Sequence, residues 1–366
     1  MNRSFVSTLA LTFAAIAVLF TIDTFLAKTE RAEDRAQASQ LFAEGERMVG
    51  QGRYADAISR LSDAVSIQRD NREYRLGVAD AYLGAGRSAD AEAELNELLL
   101  EDSTDGAANL AMARVLLKEN RTTDAISFYH RAIYGHWKDQ AMENRVRVRF
   151  ELVDLLARQD AKADLLAELL PLQEEAPHDL QTRQRIGRLF IAAGSSSHAA
   201  EVFQDILRRH PQDADAYAGL GDAEAARGNY QTARTHYSTA SHLKPQDETI
   251  RGRLELADRV LVLDPTQRGL DTRERYRRSL KLLQLTLDDA RSCAPAQAGL
   301  AQSGKALLDT AAQTLKLRVA PSGQNEAAEN NLDLAEQLWQ LRRTRCPPQP
   351  PDLESPLTLV LAKIGS

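Results

Sequence analysis

Between residues 54 and 245, small and bulky apolar residues recur at helical spacing, and the arrangement itself repeats along the chain. In the stretch GNYQTARTHYSTASHLKP, residues 228–245, a Gly turn precedes Ala233, Tyr237 and Ala240, and Pro245 closes the segment. Spacings of three and four put these residues on one helix face. Thirty-four residues earlier the same positions hold Ala199, Phe203, Ile206 and Pro211, and thirty-four before that Leu165, Leu169, Leu172 and Pro177. A longer step of forty leads to Ala125, Tyr129 and Ala132. Two more steps of thirty-four give Ala91, Leu95, Leu98 and then Ala57, Leu61, Ala64. Six units therefore share one register, the mark of stacked supersecondary units rather than of a catalytic motif.

Each unit has a partner helix upstream with a pattern of its own. Examples are Tyr217, Leu220, Gly221; Ile186, Gly187, Phe190; and Val78, Ala79, Tyr82. A polar or Gly-containing turn joins the two helices: GQGR, GAGR, KENR, ARQD, AAGS and ARGN in the six units. Helices approach closely where a small residue faces a bulky one. Gly187 and Gly221 are expected to make room that Phe203 and Tyr237 fill, and Pro ends the second helix because it cannot continue one. A six-residue expansion around Tyr134–Gln140 is expected to lengthen a loop or the helix after it.

Over residues 38–247 this pattern resembles the tetratricopeptide repeat. Units two, five and six match best; unit one has Glu44 and Arg69 where an apolar residue and Pro are usual, and unit four has Leu165 and Leu172 at small positions. The resemblance implies an all-α, TPR-type α-solenoid of about six helical hairpins, followed by a C-terminal helical bundle. It also implies binding of other proteins, through helical or extended segments, in a groove lined by the first helix of each hairpin. In the family register the groove positions are Phe42, Leu76, Leu110, Phe150 and Gln184, and one turn on Glu46, Asp80, Arg114, Asp154, Arg188 and Asp222. The Lys and Asn of the family's carboxylate clamp are absent at these positions, which disfavours chaperone tails as clients. A second reading of Phe42, Leu76 and Leu110 is that they pack between neighbouring hairpins.

The ends of the chain extend the picture. Phe5–Ile22 is 18 residues without a charge, about 27 Å as a helix against an apolar bilayer core of about 30 Å. The expected layout is a transmembrane anchor over 1–27, a juxtamembrane linker over 28–37, repeats and a capping helix over 38–264, and a helical segment over 265–366. A cleaved signal peptide is the competing reading; TFLA before Lys28 puts Phe25 where a small residue is wanted. The localisation read from this is a single pass through the inner (plasma) membrane with the soluble part in the periplasm, as an envelope scaffold. The cations on the two sides of the run leave a cytoplasm-facing alternative open. Beyond residue 264, PTQRG breaks the helical pattern, and helices are expected over about 272–293, 296–318 and 326–346. Ser355 and Pro356 then start a short terminal helix with Leu357, Val360, Leu361 and Ile364 on one stripe. If the first three run up, down and up, Cys293 and Cys346 close neighbouring ends, a geometry compatible with a disulfide and hence with an oxidising compartment.

Composition adds mainly exclusions. A net charge of −6 with acidic residues balancing Arg gives no polyanion surface, so nucleic acid is not an expected partner. GLAQSGKA, residues 299–306, nearly spells a phosphate-binding loop, but Ala306 replaces the metal-ligating hydroxyl and no strand precedes it. The histidines, among them His130, His136, His198, His236 and His242, show no metal spacing. Arg273, Arg275, Arg277 and Arg278 spread over more than one helix face, as a solvated or ion-paired helix would have them, with docking of an acidic partner or lipid headgroups as the alternative. No catalytic residue, cofactor or metal is expected, the alternative being an enzyme accessory with a cryptic site in the C-terminal helices, and the oligomeric state is not readable.

Overall fold

The period translates directly into helices. The computed structural model describes residues 3–292, 302–345 and 355–365, with side chains from residue 19 onward except those of 303 and 345. Among these residues there are 17 α-helices and no strand. Two compact units divide the chain, Met1–Leu155 and Leu156–Ser366.

In the first unit α1 (Arg3–Gly50) pairs with α2 (Tyr54–Ile67), α3 (Arg72–Gly84) with α4 (Ser88–Glu101), and α5 (Gly106–Lys118) with α6 (Thr122–Tyr134). Helix α7 begins at Ala141 and runs to Arg158. The residues picked out by the repeat form the core: Ala57, Leu61, Ala64, Ala91, Leu95, Leu98, Ala125 and Ala132 are fully buried. The six-residue expansion lengthens both the loop, 135–140, and helix α7, which has 18 residues against 13 in α3 and α5. That loop is tied down by the loop before it: the His136 amide donates to the Thr104 carbonyl at 2.7 Å and the Gly106 amide to the His136 carbonyl at 2.8 Å. Trp137 lies against Gly106, where a Cβ would come within 2.4 Å of the indole.

In the second unit α8 is Lys162–Glu175, α9 (Leu180–Ala192) pairs with α10 (Ser196–Arg209), and α11 (Ala214–Ala226) with α12 (Tyr230–Leu243). Helix α13 (Glu248–Leu263) packs on α12. Small-against-bulky packing is present as expected. A Cβ on Gly187 would sit 2.7 Å from the Phe203 ring, and one on Gly221 would sit 2.5 Å from the Tyr237 ring. Beyond PTQRG come α14 (Thr272–Ser292), α15 (Gln302–Thr314), α16 (Gln324–Arg345) and α17 (Pro356–Ile364). Arg275 pairs with Glu329 near the start of the α14–α16 contact and Asp289 with Arg342 near its end. The two helices therefore run parallel, in the up, down, up sense expected. Ser355 caps α17, its hydroxyl accepting from the Thr358 amide at 3.2 Å, and Val360 and Leu361 are buried in the core of this unit.

Capping follows the same period. Asn71, Asp105, Asp179, Asp213 and Asp247 each accept backbone N–H groups at the start of a first helix, satisfying donors that would otherwise be orphaned. At the turns the chain needs positive φ at one position in every unit: Gly52, Gly86, Asn120, Asp160, Gly194 and Gly228.

The membrane expectation is corrected, and other features of the sequence lie partly outside the described residues. Among the described residues no helix is long and apolar enough to cross a membrane, so the single-pass inner-membrane localisation, and with it the membrane link through the N-terminus, is not supported. Of the uncharged run, the side chains of Phe5–Val18 lie outside the described residues. The linker expected over 28–37 is part of the continuous helix α1. Cys293 and Cys346, proposed as a disulfide pair, also lie outside the described residues. So do residues 299–301 of the phosphate-loop lookalike; the rest of it, Gln302 to Ala306, is helix α15.

Candidate functional site

Consecutive first helices lie side by side: α1 beside α3 and α3 beside α5 in the first unit, α9 beside α11 in the second. Each presents a row of side chains thirty-four residues apart. The upper row is largely packing. Leu110 is only 3% exposed; Phe42 stacks on Tyr74 at 4.7 Å between centroids; and Leu76 is half-buried against the core of α3–α6. The burial of Leu110 favours the second of the two readings, packing between hairpins, whereas Phe42 and Leu76 are only partly covered. Phe150 is half-buried. Gln184 is 8% exposed and donates to both carboxylate oxygens of Asp213, at 3.0 and 3.1 Å, bracing the cap of α11. It is a structural residue, not an open contact position.

The charged row one turn on is different. Glu46 and Asp80 are both exposed, yet their surroundings oppose ionisation. Partial desolvation raises the pKa of Glu46, reinforced by the negative charges of Asp80 and Glu73. Desolvation likewise raises the pKa of Asp80, with the positive charge of Arg114 partly opposing. Arg114 makes a two-pronged pair with Glu151, Nη2 to Oε1 at 2.6 Å and Nε to Oε2 at 3.1 Å. Asp154 is half-buried on α7.

In the second unit Asp222 is the focus. Tyr237 donates its hydroxyl to Oδ1 at 2.8 Å, Arg253 pairs with Oδ2 at 2.9 Å, and Arg188 adds a further positive charge. Burial still raises the Asp222 carboxyl above the usual carboxylate range, and burial beside Asp222 raises the Tyr237 phenol. Next to this group is a cavity of about 610 Å³ lined by α9, α11, α12, α13 and α17. Ile191, Leu256, Leu359 and Ala362 give it apolar walls, with Asp222 and Arg253 at its polar end. Among the described residues no group of three or more His, Cys, Asp or Glu could hold a metal. The arrangement offers charge and shape to a ligand; it brings no nucleophile and base together.

Two stretches of the chain match models of the tetratricopeptide repeat, residues 48–115 and residues 185–248. These stretches are tetratricopeptide repeats. No curated protein sequence matches the chain. Among solved structures, YrrB, described as a TPR protein with an unusual peptide-binding site, is 17% identical, with 53% of this chain and 97% of that one covered at a TM-score of 0.42. The C-terminal part of a TPR repeat-containing protein from Cytophaga hutchinsonii is 13% identical, covering 67% and 95%, at 0.46. PilW, a type IV pilus biogenesis factor, is 16% identical, covering 59% and 98%, at 0.41.

The sequence reading passed over three features of these faces. Arg75, on α3, is almost buried and holds Glu94, Glu97 and Glu101 at 2.6, 3.0 and 2.7 Å. Glu151 and Arg253 escaped notice because they lie one position off the thirty-four-residue register of the groove positions. Leu256 lies on it, thirty-four residues after Asp222, and one more step of the same slide into α13 finds it. Three of the four α14 arginines singled out, Arg275, Arg277 and Arg278, are ion-paired. Arg277 and Arg278 both bind Glu274 at 2.7 Å, which holds its pKa down to about 2, and Arg275 binds Glu329 at 2.5 Å.

Proposed function

We propose that the chain is a non-catalytic scaffold that holds a helical or extended segment of a partner protein against the charged faces of its first helices. The observation that carries this reading is the Glu46–Asp80 pair. Two carboxylates stand on adjacent helices, α1 and α3; desolvation, and after it the charges of Asp80 and Glu73, oppose the ionisation of Glu46. A Lys or Arg from a partner placed between them would relieve the repulsion and gain charge-assisted hydrogen bonds. Groups whose ionisation is opposed by their surroundings are more common at functional faces than elsewhere.

The test is co-purification with the full chain. Glu46→Lys together with Asp80→Lys is expected to lose the proteins retained by wild type. The reversal Asp63→Lys with Asp90→Lys, at exposed positions on the second helices α2 and α4, should retain them. Retention by the first variant and loss by the second would overturn the assignment of the face.

A further inference from the structure

Arg75 shows how this chain satisfies an arginine turned from a first helix toward its second. It donates from Nε, Nη1 and Nη2 to Glu94, Glu101 and Glu97 of α4, at 2.6, 2.7 and 3.0 Å. Three units later, by steps of thirty-four, forty and thirty-four, the same positions hold Arg183 on α9 and Val202, Arg209 and Asp205 on α10. Two of the three carboxylates are gone, and the third, Asp205, is taken by Arg208 at 2.9 Å and Arg209 at 3.4 Å. Arg183 turns instead to the end of α8 and the loop after it. Its Nη1 donates to the Gln173 carbonyl at 2.8 Å and its Nη2 contacts the His178 ring. Its Nε is buried with no hydrogen-bond partner. Gln173 is a second departure from the repeat, standing where earlier units have Ile133, Leu99 and Val65. Its side-chain Oε1 is also buried and unpaired. Both residues line one cavity of about 220 Å³ where α8, α9 and α10 meet, and Glu201, Val202, Asp205 and Arg208 complete its lining. Glu201 is exposed, and no hydrogen bond or ion pair occupies its carboxylate among the described residues. Buried donors and acceptors left unpaired are costly and rare in folded chains, and here one of each opens on the same small space.

We propose that this cavity binds a primary carboxamide, whose oxygen accepts from Arg183 Nε and whose two N–H groups donate to Gln173 Oε1 and the Glu201 carboxylate. The open groups are one donor and two acceptors, and a primary carboxamide is the neutral group that offers one acceptor and two donors. A carboxylate would satisfy Arg183 but face Glu201 and leave Gln173 Oε1 without a donor. An ammonium would satisfy Gln173 and Glu201 but leave Arg183 Nε without an acceptor and lie against its charge. A hydroxyl has one proton for two acceptors. Charge agrees with a neutral occupant, since Arg183 and Arg208 are balanced by Glu201 and Asp205. The volume lies below the roughly 300–1,000 Å³ of sites that enclose a drug-sized ligand, which suits a single head group. An Asn or Gln side chain of a partner and a free small amide both carry that group. The site is separate from the Glu46–Asp80 face and does not depend on it.

The experiment is a titration of the full ¹⁵N-labelled chain, followed through the arginine Nε–H resonances, with Arg183→Lys identifying the Arg183 signal. The probes are propionamide and three peptides, acetyl-Ala-Gln-Ala-N-methylamide and its Glu and Leu counterparts. Propionamide and the Gln peptide are expected to move the Arg183 Nε–H downfield and to saturate. The Gln peptide should bind about tenfold more tightly than the Glu and Leu peptides, equivalent to about 1.4 kcal/mol. A Gln peptide tighter than propionamide would mark a partner's side chain as the source, and the reverse a free small amide. Gln173→Leu, which restores the residue type of Leu99, is expected to weaken the Gln peptide by about tenfold while keeping the helical circular dichroism. Glu201→Ala, at an exposed position, should weaken it several-fold and carries the test if the first variant does not fold. Equal binding of the Gln and Glu peptides, no saturable shift with any probe, or indifference to Glu201→Ala and a folded Gln173→Leu would each overturn the proposal.

Discussion

Single residues set the turns of this chain and the electrostatics of its face. Every hairpin turn uses one residue with positive φ, and in two of them that residue is not Gly: Asn120 at 61° and Asp160 at 54°. A side chain in this region costs about 1–2 kcal/mol, somewhat less for Asn and Asp. Gly would remove that cost but loses about 0.5–1 kcal/mol of chain entropy on folding. Asn120→Gly and Asp160→Gly should therefore each stabilise the protein slightly, by up to about 1 kcal/mol, read as a higher denaturant midpoint with unchanged slope; a lower midpoint would contradict the turn assignment. Glu46 gives a pH-dependent case. Its folded pKa is raised by desolvation and by Asp80 and Glu73, so the folded state binds its proton more tightly than the unfolded state does. Stability from this group is thus greatest at low pH and is lost as pH rises from about 4, the unfolded value, through the raised folded value. Glu46→Gln should raise Tm at pH 7, with the gain vanishing below about pH 4. A gain that persists at pH 3 would mean that packing, not charge, is responsible.

At the scale of helices, the sequence was legible wherever one contact repeats. Ala57, Leu61 and Ala64 and their counterparts five more times along the chain are buried as their spacing requires, because each faces an equivalent neighbour and the demand for a small or bulky group recurs. The clash distances at Gly187 and Gly221 follow from the same rule. Individual contacts that do not repeat were illegible. Lys363 and Asp264 are 99 positions apart and bond once; nothing in the spacing of either announces the other. The N-terminal run misled for a related reason. Length and lack of charge describe a segment in isolation, whereas α1 is one helix from Arg3 to Gly50 whose end packs against α2. Part of the candidate site misled as well: Leu110 and Gln184 occupy face positions by register, yet burial and the bond to Asp213 give them structural roles. Register fixes where a residue lies on a helix, but whether it is covered depends on the neighbour in the next hairpin.

On the scale of the whole molecule, the two units carry faces of opposite character. The first brings Glu46 and Asp80 together, and the second surrounds Asp222 with Arg188 and Arg253. Under the proposed function, a partner segment for the first brings cations to Glu46 and Asp80. Fold alone does not decide between ligands in repeat arrays, so these local charges carry the functional argument. The most direct test of that argument is site-specific photocrosslinking, with a photoreactive residue in place of Asp80 or Arg188 on the faces, or of Asp63 on a second helix, all three exposed. Mass spectrometry of the crosslinked peptides should show positions 80 and 188 joined to defined segments of a partner, basic at the first, with little product at 63. Crosslinks confined to position 63, or equal at all three, would contradict the account.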